Sequence, residues 1–253
     1  MTVMSITGPA GVLHVDDFGA DGLPVVFLHS YAGSARHWAS QMAHLRSSRR
    51  VVAFDLRGHG ASAPPPDDDY SVDALAEDLE AVVDSLDLQR FVLVGHSLGA
   101  SVAVAYAAAH PGQVAGVLVV GLPGKLPGEM AQKVIAAVED DYDHAMDEHW
   151  NKLLEGATPE VQTQIGGEKA SIPKNASIHL IKATVFDDPV TPLRRYSGPV
   201  LVVSTPHSDM PHDVHRLMPH LPHEVITGTS HWPQLDKPEE FNELLDDFLA
   251  GIE

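Results

Sequence analysis

The feature that most constrains the fold of this chain is a series of short branched-aliphatic runs: "PVVFLH", "RRVVAFD", "RFVLVG", "VAGVLVVG", "GPVLVVS" and "HEVIT". They are apolar at odd and even positions alike, so both faces of each strand need covering, as in a parallel sheet flanked by helices. Between them lie patterns of helical period. "SARHWASQMAHL" opens at Ser34, a helix-capping residue type, and "SVDALAEDLEAVVDSL" carries Val72, Leu75, Leu79, Val82, Val83 and Leu86 on one face. "PEEFNELLDDFLAGI" starts at Pro238 and aligns Phe241, Leu244, Leu245 and Phe248. The alanine-rich "LGASVAVAYAAAHPG" predicts a helix packed closely beside the sheet and ending at Pro111 and Gly112.

This alternation predicts an α/β fold: a mostly parallel, doubly wound sheet of about eight strands, which "GVLHVDDFG" joins as an antiparallel edge. From Leu122 to Tyr196 the rhythm stops, and only helical stretches such as "EMAQKVIAAVEDDYDHAMDEHWNKLLEG" and "IHLIKATVFDD" remain. The expected organisation is a core of residues 1–121 and 197–253 with a helical cap inserted over 122–196. "SAPPPDDDYS" reads as a surface connector.

Composition narrows the function classes. With 253 residues, 44% hydrophobic and 20% charged, the chain is of ordinary globular type. Its 16 basic against 35 acidic residues give a formal charge of -19, which repels phosphate backbones and anionic membranes, so neither nucleic acid nor a membrane is expected as a partner. The absence of cysteine excludes disulfides, a thiolate nucleophile and a cysteine metal site. "MTVMSITGPAGVLHV" lacks the regions of a signal peptide and no apolar run reaches about 18 residues, so a cytoplasmic protein is expected. No GxGxxG follows the first strand and no GKS or GKT loop occurs, so no cofactor is expected. "PHSDMPHDVHRLMPHLPHE" holds five histidines but fits no zinc signature, and no metal site is expected there.

In "RFVLVGHSLGA" the apolar run stops against a hydroxyl. A sharp turn from strand into helix can hold that side chain prominently if its neighbours are small, and Gly95 and Gly99 flank Ser97 at the spacing of a nucleophile elbow. A serine needs a base, and His231 in "ITGTSHWPQLDKPEEF" lies between the last strand run and the last helix. The imidazole needs an orienting acid. Asp209, after "GPVLVVS", gives the order Ser97, Asp209, His231; Asp213 and Glu129 are alternatives. Attack on a carbonyl creates an oxyanion, for which the amides of Leu98 and of Tyr31 in "HSYAGSARHW" are the expected donors. His29, Ser30 and Trp232 are expected to border the substrate.

With these residues in place, the chain from about Val12 to its C-terminus resembles the α/β-hydrolase superfamily. "GHSLG" and its partners carry the resemblance, with "FDLRGHGAS", similar to the DxRGxGxS loop of the ester-cleaving and related branches, and "HWPQLDKPEEF", similar to the histidine loop and final helix. The resemblance implies that the 122–196 insertion shapes the substrate pocket. Two departures stand out. The usual HG after the third strand is His29 and Ser30, a serine also found in the enol-lactonase branch, and no glycine precedes Asp209 where GxxD is common. Asp55, Arg57, Gly58 and His59 are expected to shape a turn, His96 to pack into the elbow, and His37 and Trp38 to be core or pocket wall. Met130, Ile135, Tyr142, Trp150 and Phe186 either line an apolar cavity or form the insertion's own core.

The expected activity is that of a cofactor-independent serine hydrolase cleaving a small carboxylic ester or lactone through an acyl-enzyme. Carbon–carbon bond hydrolases, amidases, perhydrolases and low-turnover ligand receptors share the pattern. Serine at position 97 argues against the haloalkane dehalogenases and epoxide hydrolases, which use an aspartate there.

Overall fold

The computed structural model describes residues 2–19, 21–206 and 210–252. Its strands are β1 (Thr2–Thr7), β2 (Val12–Gly19), β3 (Val25–Leu28), β4 (Arg50–Phe54), β5 (Phe91–His96), β6 (Val114–Val120), β7 (Val200–Ser204) and β8 (His223–Val225). They form one eight-stranded sheet in the order β1-β2-β4-β3-β5-β6-β7-β8. The β1–β2 and β2–β4 pairs are antiparallel and the rest parallel. The doubly wound α/β expectation therefore holds.

The helices are α1 (Ala39–Leu45, entered through a 3-10 turn at Ala35–Trp38), α2 (Val72–Ser85), α3 (Leu98–Ala109), α4 (Gly128–Asp140), α5 (Tyr142–Leu153), α6 (Pro159–Lys169), α7 (Lys174–Val185), α8 (Val190–Arg195), α9 (Val214–Leu217), α10 (Pro233–Asp236) and α11 (Pro238–Ala250). Among the described residues, no helix is long and apolar enough to cross a membrane.

The two-faced apolar runs are explained by two packed layers. Val26, Leu28, Val52, Phe54 and Leu93 face α2 and α3, while Val25, Phe27, Val51, Ala53, Val92 and Val94 face Trp38, Phe241 and Leu245 on the other side. Successive residues thus serve opposite cores, the period-two geometry of a strand. Small side chains let α3 lie buried along most of its length between the sheet, α2 and α8.

Three details differ from the sequence expectation. "GVLHVDDFG" is the second strand; the outer edge is β1, where Val3 is exposed and Ile6 buried, a half-apolar pattern that gives a weak signal. "HEVIT" contributes only the three exposed residues of β8 at the opposite edge, where the sheet ends. Ser34 makes no side-chain cap; its hydroxyl donates instead to Glu168 Oε1 at 3.0 Å.

Between β6 and β7 the chain forms α4 to α8. The helical stretch that begins near Glu129 is broken at Asp141, whose φ of -139° and ψ of 87° leave the helix and whose carboxylate accepts the His144 N–H at 3.2 Å to start α5. Ile135, Val138, Met146, Trp150 and Ile165 form a third apolar cluster together with Trp232. Val190 and Leu193 of α8 pack into the sheet core instead, as does Tyr196, whose hydroxyl donates to the Val114 carbonyl at 3.0 Å.

Candidate active site

The C-terminal ends of β3, β5 and β6 lead into Ser30 and Tyr31, Ser97, and Gly121, and β8 leads toward His231, so short connections deliver them to one rim of the sheet. Ser97 has φ 51° and ψ -113°. A residue with a β-carbon held in such a region costs about 1–3 kcal/mol, sustained only by its surroundings. Those surroundings are tight. A β-carbon on Gly95 would press on the Gly99 carbonyl oxygen and lie 2.6 Å from Ala100 Cα; one on Gly99 would lie 2.5 Å from the carbonyl oxygens of both Leu28 and His29. The Ser97 N–H donates to the Val120 carbonyl at 2.8 Å, tying the turn to β6. Leu98 opens α3, so helix geometry offers its N–H no carbonyl one turn back.

Ser97 and His231 border the same cavity of about 500 Å³, together with Ser30, Tyr31, Gly121 and Trp232. The His231 ring is 4.7 Å from that of His96, and its backbone N–H donates to the Leu153 carbonyl of α5 at 3.0 Å. Gly121, at φ +53°, leaves the room it needs: a β-carbon there would lie 2.9 Å from His231 Cε1.

His29 is not among the residues that border the cavity. Its ring is fully buried, with Nδ1 donating to the Ser30 carbonyl at 2.8 Å and Nε2 accepting the Leu56 N–H at 2.9 Å. His29 was expected to border the substrate; instead Nε2 ties the end of β3 to the loop after β4, and Nδ1 is taken up by the carbonyl of the next residue. Ser30 and Trp232 do face the cavity, and the indole N–H of Trp232 points at Ser30 Oγ across 3.4 Å. Asp209 lies outside the described residues. Asp213 borders the cavity, and its Oδ2 accepts the Met210 N–H at 2.5 Å. Glu129 is exposed in the first turn of α4.

Three buried histidines, His29, His59 and His96, are held neutral. Burial lowers both His29 and His59 to about 3, and pushes His96 well below the ordinary histidine range with help from the adjacent His231. His96 Nδ1 accepts an N–H from Gln234 at 3.2 Å. A neutral His96 beside His231 matters, because a second imidazolium at that distance would oppose protonation of His231.

The DxRGxGxS-like loop is braced by its own side chains. Asp55 accepts the N–H groups of Ala35 and Ala61, each at 2.8 Å, and Arg57 grips buried Asp78 through two bonds of 2.6 and 2.8 Å.

Above the serine, the helical segment supplies an apolar roof that includes Val138, Met146, Trp150, Leu153 and Ile181. Trp150 lies parallel to Trp232, 6.2 Å away at 12°, and 5.4 Å from the Tyr31 ring. The Tyr31 hydroxyl shares a 2.5 Å hydrogen bond with Ser177 Oγ, which also accepts from the Tyr142 hydroxyl at 2.7 Å. Ile135 and Trp150 are buried as cluster residues, whereas Met130 and Phe186 are exposed. Ser177, Glu168 and Asp236, which link the segment to the floor, went unnoticed in the sequence because nothing local marks a partner so far along the chain. Among the described residues, no three histidine, aspartate or glutamate side chains cluster as metal ligands.

Comparison with known proteins identifies the family. Residues 24–155 match the family model for the alpha/beta hydrolase fold. The chain is 30% identical over 253 aligned residues to an sn-1-specific diacylglycerol lipase of Mus musculus, covering 89% of this chain and 80% of that protein. A solved structure described as an N-acyl homoserine lactone degrading enzyme superimposes with a TM-score of 0.78 at 27% identity, covering 97% of this chain and 100% of the other. A thermophilic esterase of Thermogutta terrifontis gives a TM-score of 0.82 at 24% identity, covering 100% and 99%, which speaks for the fold. Its relatives include hydrolases of several kinds, and on the family match and the long alignment together the chain belongs to the alpha/beta hydrolase fold family.

Proposed function

We propose that this protein is a cofactor-independent serine hydrolase that cleaves a small carboxylic ester or lactone through an acyl-enzyme. The observation that carries the proposal is Ser97 in a strained strand-to-helix turn, bordering the same cavity as His231. In the proposed reaction His231 takes the Ser97 hydroxyl proton as Oγ attacks the substrate carbonyl. The amides of Leu98 and Tyr31 receive the oxyanion, and His231 returns the proton to the leaving alkoxide, which in a lactone stays tethered to the acyl group. Water then attacks the acyl carbon while giving a proton to His231, which passes that proton to Ser97 Oγ as the acid leaves. Asp209 is proposed to orient His231, with Asp213 as the alternative.

The helical segment acts in this scheme as a cap. Its apolar walls suit an uncharged group on the substrate, and a volume of about 500 Å³ falls within the usual range for small-molecule sites. A lipase and a lactone-degrading enzyme are among the similar proteins, in keeping with an ester or lactone substrate.

The test is labelling by a fluorophosphonate probe together with turnover of short p-nitrophenyl esters, γ-lactones and enol-lactones. Both labelling and turnover should vanish in Ser97→Ala, and comparison of Asp209→Asn with Asp213→Asn should identify the acid. Ligand binding by the wild type with neither labelling nor turnover would instead make it a receptor on the same fold.

A further inference from the structure

The loop that carries His231 is held from two sides by one carboxylate. Asp236, in α10, accepts the Thr158 N–H on Oδ1 at 2.9 Å, and on Oδ2 both the N–H of Ser230 at 2.8 Å and its hydroxyl at 2.5 Å. The Ser230 oxygen in turn accepts the Trp232 N–H at 3.2 Å, while the His231 N–H goes to Leu153. Each of the three backbone N–H groups around the base therefore has a fixed partner. One of them is the carbonyl of Leu153, the last residue of α5, and another is the carboxylate that also binds Thr158 just before α6. The two segments run in contact here: a β-carbon on Gly156 would lie 3.0 Å from the Thr229 carbonyl oxygen. Thr158 is moreover the N-cap of α6, its Oγ1 accepting the Val161 N–H at 3.3 Å.

From this we infer that Asp236 is a positioning residue, which sets the height of His231 over Ser97 and couples it to the helical segment roofing the cavity. The inference rests on the proposed roles of Ser97 and His231. Asp236 itself touches no substrate. Its carboxylate registers the base loop against residues 153–158, so the acyl-binding roof and the proton carrier are placed together. Charge-assisted bonds to backbone N–H groups are the stronger kind, which suits a part that must hold one geometry through a proton transfer.

The experiment compares Asp236→Ala and Ser230→Ala with the wild type in p-nitrophenyl ester kinetics, fluorophosphonate labelling rate and amide hydrogen exchange. A misplaced base costs the chemical step more than binding, and a shift approaching an ångström can cost about 100-fold. The expected result for Asp236→Ala is a kcat lower by about 10- to 100-fold with KM within about threefold, and labelling of Ser97 slowed in proportion. Exchange protection should fall at residues 229–232 and 153–158 together. Ser230→Ala, which removes one of the three bonds to Asp236 and the acceptor of the Trp232 N–H, should move the same quantities less and covers the case in which Asp236→Ala does not fold. A kcat per folded molecule equal to wild type in either variant overturns the inference, as does lost protection confined to 229–232. If Ser97→Ala leaves turnover intact, the proposed function fails, and the exchange data alone still decide the coupling.

Discussion

Replacing Gly121 by alanine tests whether His231 works from the position seen here. The new β-carbon would lie 2.9 Å from His231 Cε1, 3.3 Å from Nδ1 and 3.6 Å from His96 Cδ2. Carbon atoms in contact normally sit about 3.5–4.0 Å apart, so the imidazole must retreat by more than half an ångström. His96 and Trp232 stand beside it, with ring centroids at 4.7 and 5.2 Å, and limit where it can go. The backbone adds its own cost, because φ is +53° at Gly121 and a left-handed alanine loses about 1–2 kcal/mol. The expected outcome is a drop of a few degrees in Tm and a kcat/KM lower by about 10- to 100-fold, equivalent to about 1.4–2.7 kcal/mol of transition-state stabilisation. Gly112→Ala is the control, since nothing lies within 4 Å of its added carbon. Ester kinetics, fluorophosphonate labelling and thermal melting on both variants suffice. Should Gly121→Ala keep full kcat/KM despite a lowered Tm, the placement of His231 as the base would be wrong.

Three further outcomes follow from the same structure. His29 and His59 are held neutral down to about 3 but in the unfolded chain take up protons below 6.5, so their contribution is complete above 6.5 and is lost as the pH falls toward 3; at about 1.4 kcal/mol per pH unit each, pH 5 should cost about 4 kcal/mol, or about 10 °C in Tm, and a Tm by circular dichroism that stays level from pH 7 to 5 would refute this. Gly99→Ala drives a β-carbon against two carbonyl oxygens of main chain that cannot step aside; it should destabilise by more than about 3 kcal/mol in urea titration, and near-native stability would contradict the close approach of α3 to β3. Met146→Trp adds bulk to the roof of the cavity and should lower kcat/KM for octanoyl esters by more than about tenfold while sparing acetyl esters, unless the acyl group binds elsewhere.

The legible part of this molecule is the part whose physics is local. "RFVLVGHSLGA" contains its own explanation: a strand buried on both faces, a serine that must turn at once into a helix, and two glycines where any β-carbon would strike main chain. The DxRGxGxS-like loop is similar, since Asp55 binds backbone within or near its own turn, although its grip on Ala35 spans to another loop. The placement of His29 is hard to read for the opposite reason. Its neighbours in sequence reach the cavity, and only the distant Leu56 N–H, which occupies Nε2, reveals that the ring points into the core. The edges of the sheet were hard to read because an edge strand buries half of its side chains or fewer, leaving β1 and β8 without the two-faced apolar signal of the centre.

The link between roof and floor was hidden for a further reason. Helical periodicity says that Met146 and Trp150 share a face, but not whether that face meets another helix or a cavity, and Trp150 does both, closing a cluster with Ile135 while stacking over Trp232. The polar ties are single pairs joining residues far apart in the chain: Glu168 with Ser34 and His37, Ser177 with Tyr31, Asp236 with Thr158. A lone polar residue on a helix carries no mark of its partner, so such ties become visible only once the fold has brought both ends together. Their placement has a consequence. Ser177 reaches the side chain of the residue proposed to supply one oxyanion amide, and Asp236 reaches the loop of the proposed base, so a displaced roof would disturb both halves of the reaction centre. In the proposed scheme the helical segment is therefore part of the catalytic geometry as well as a wall for the substrate.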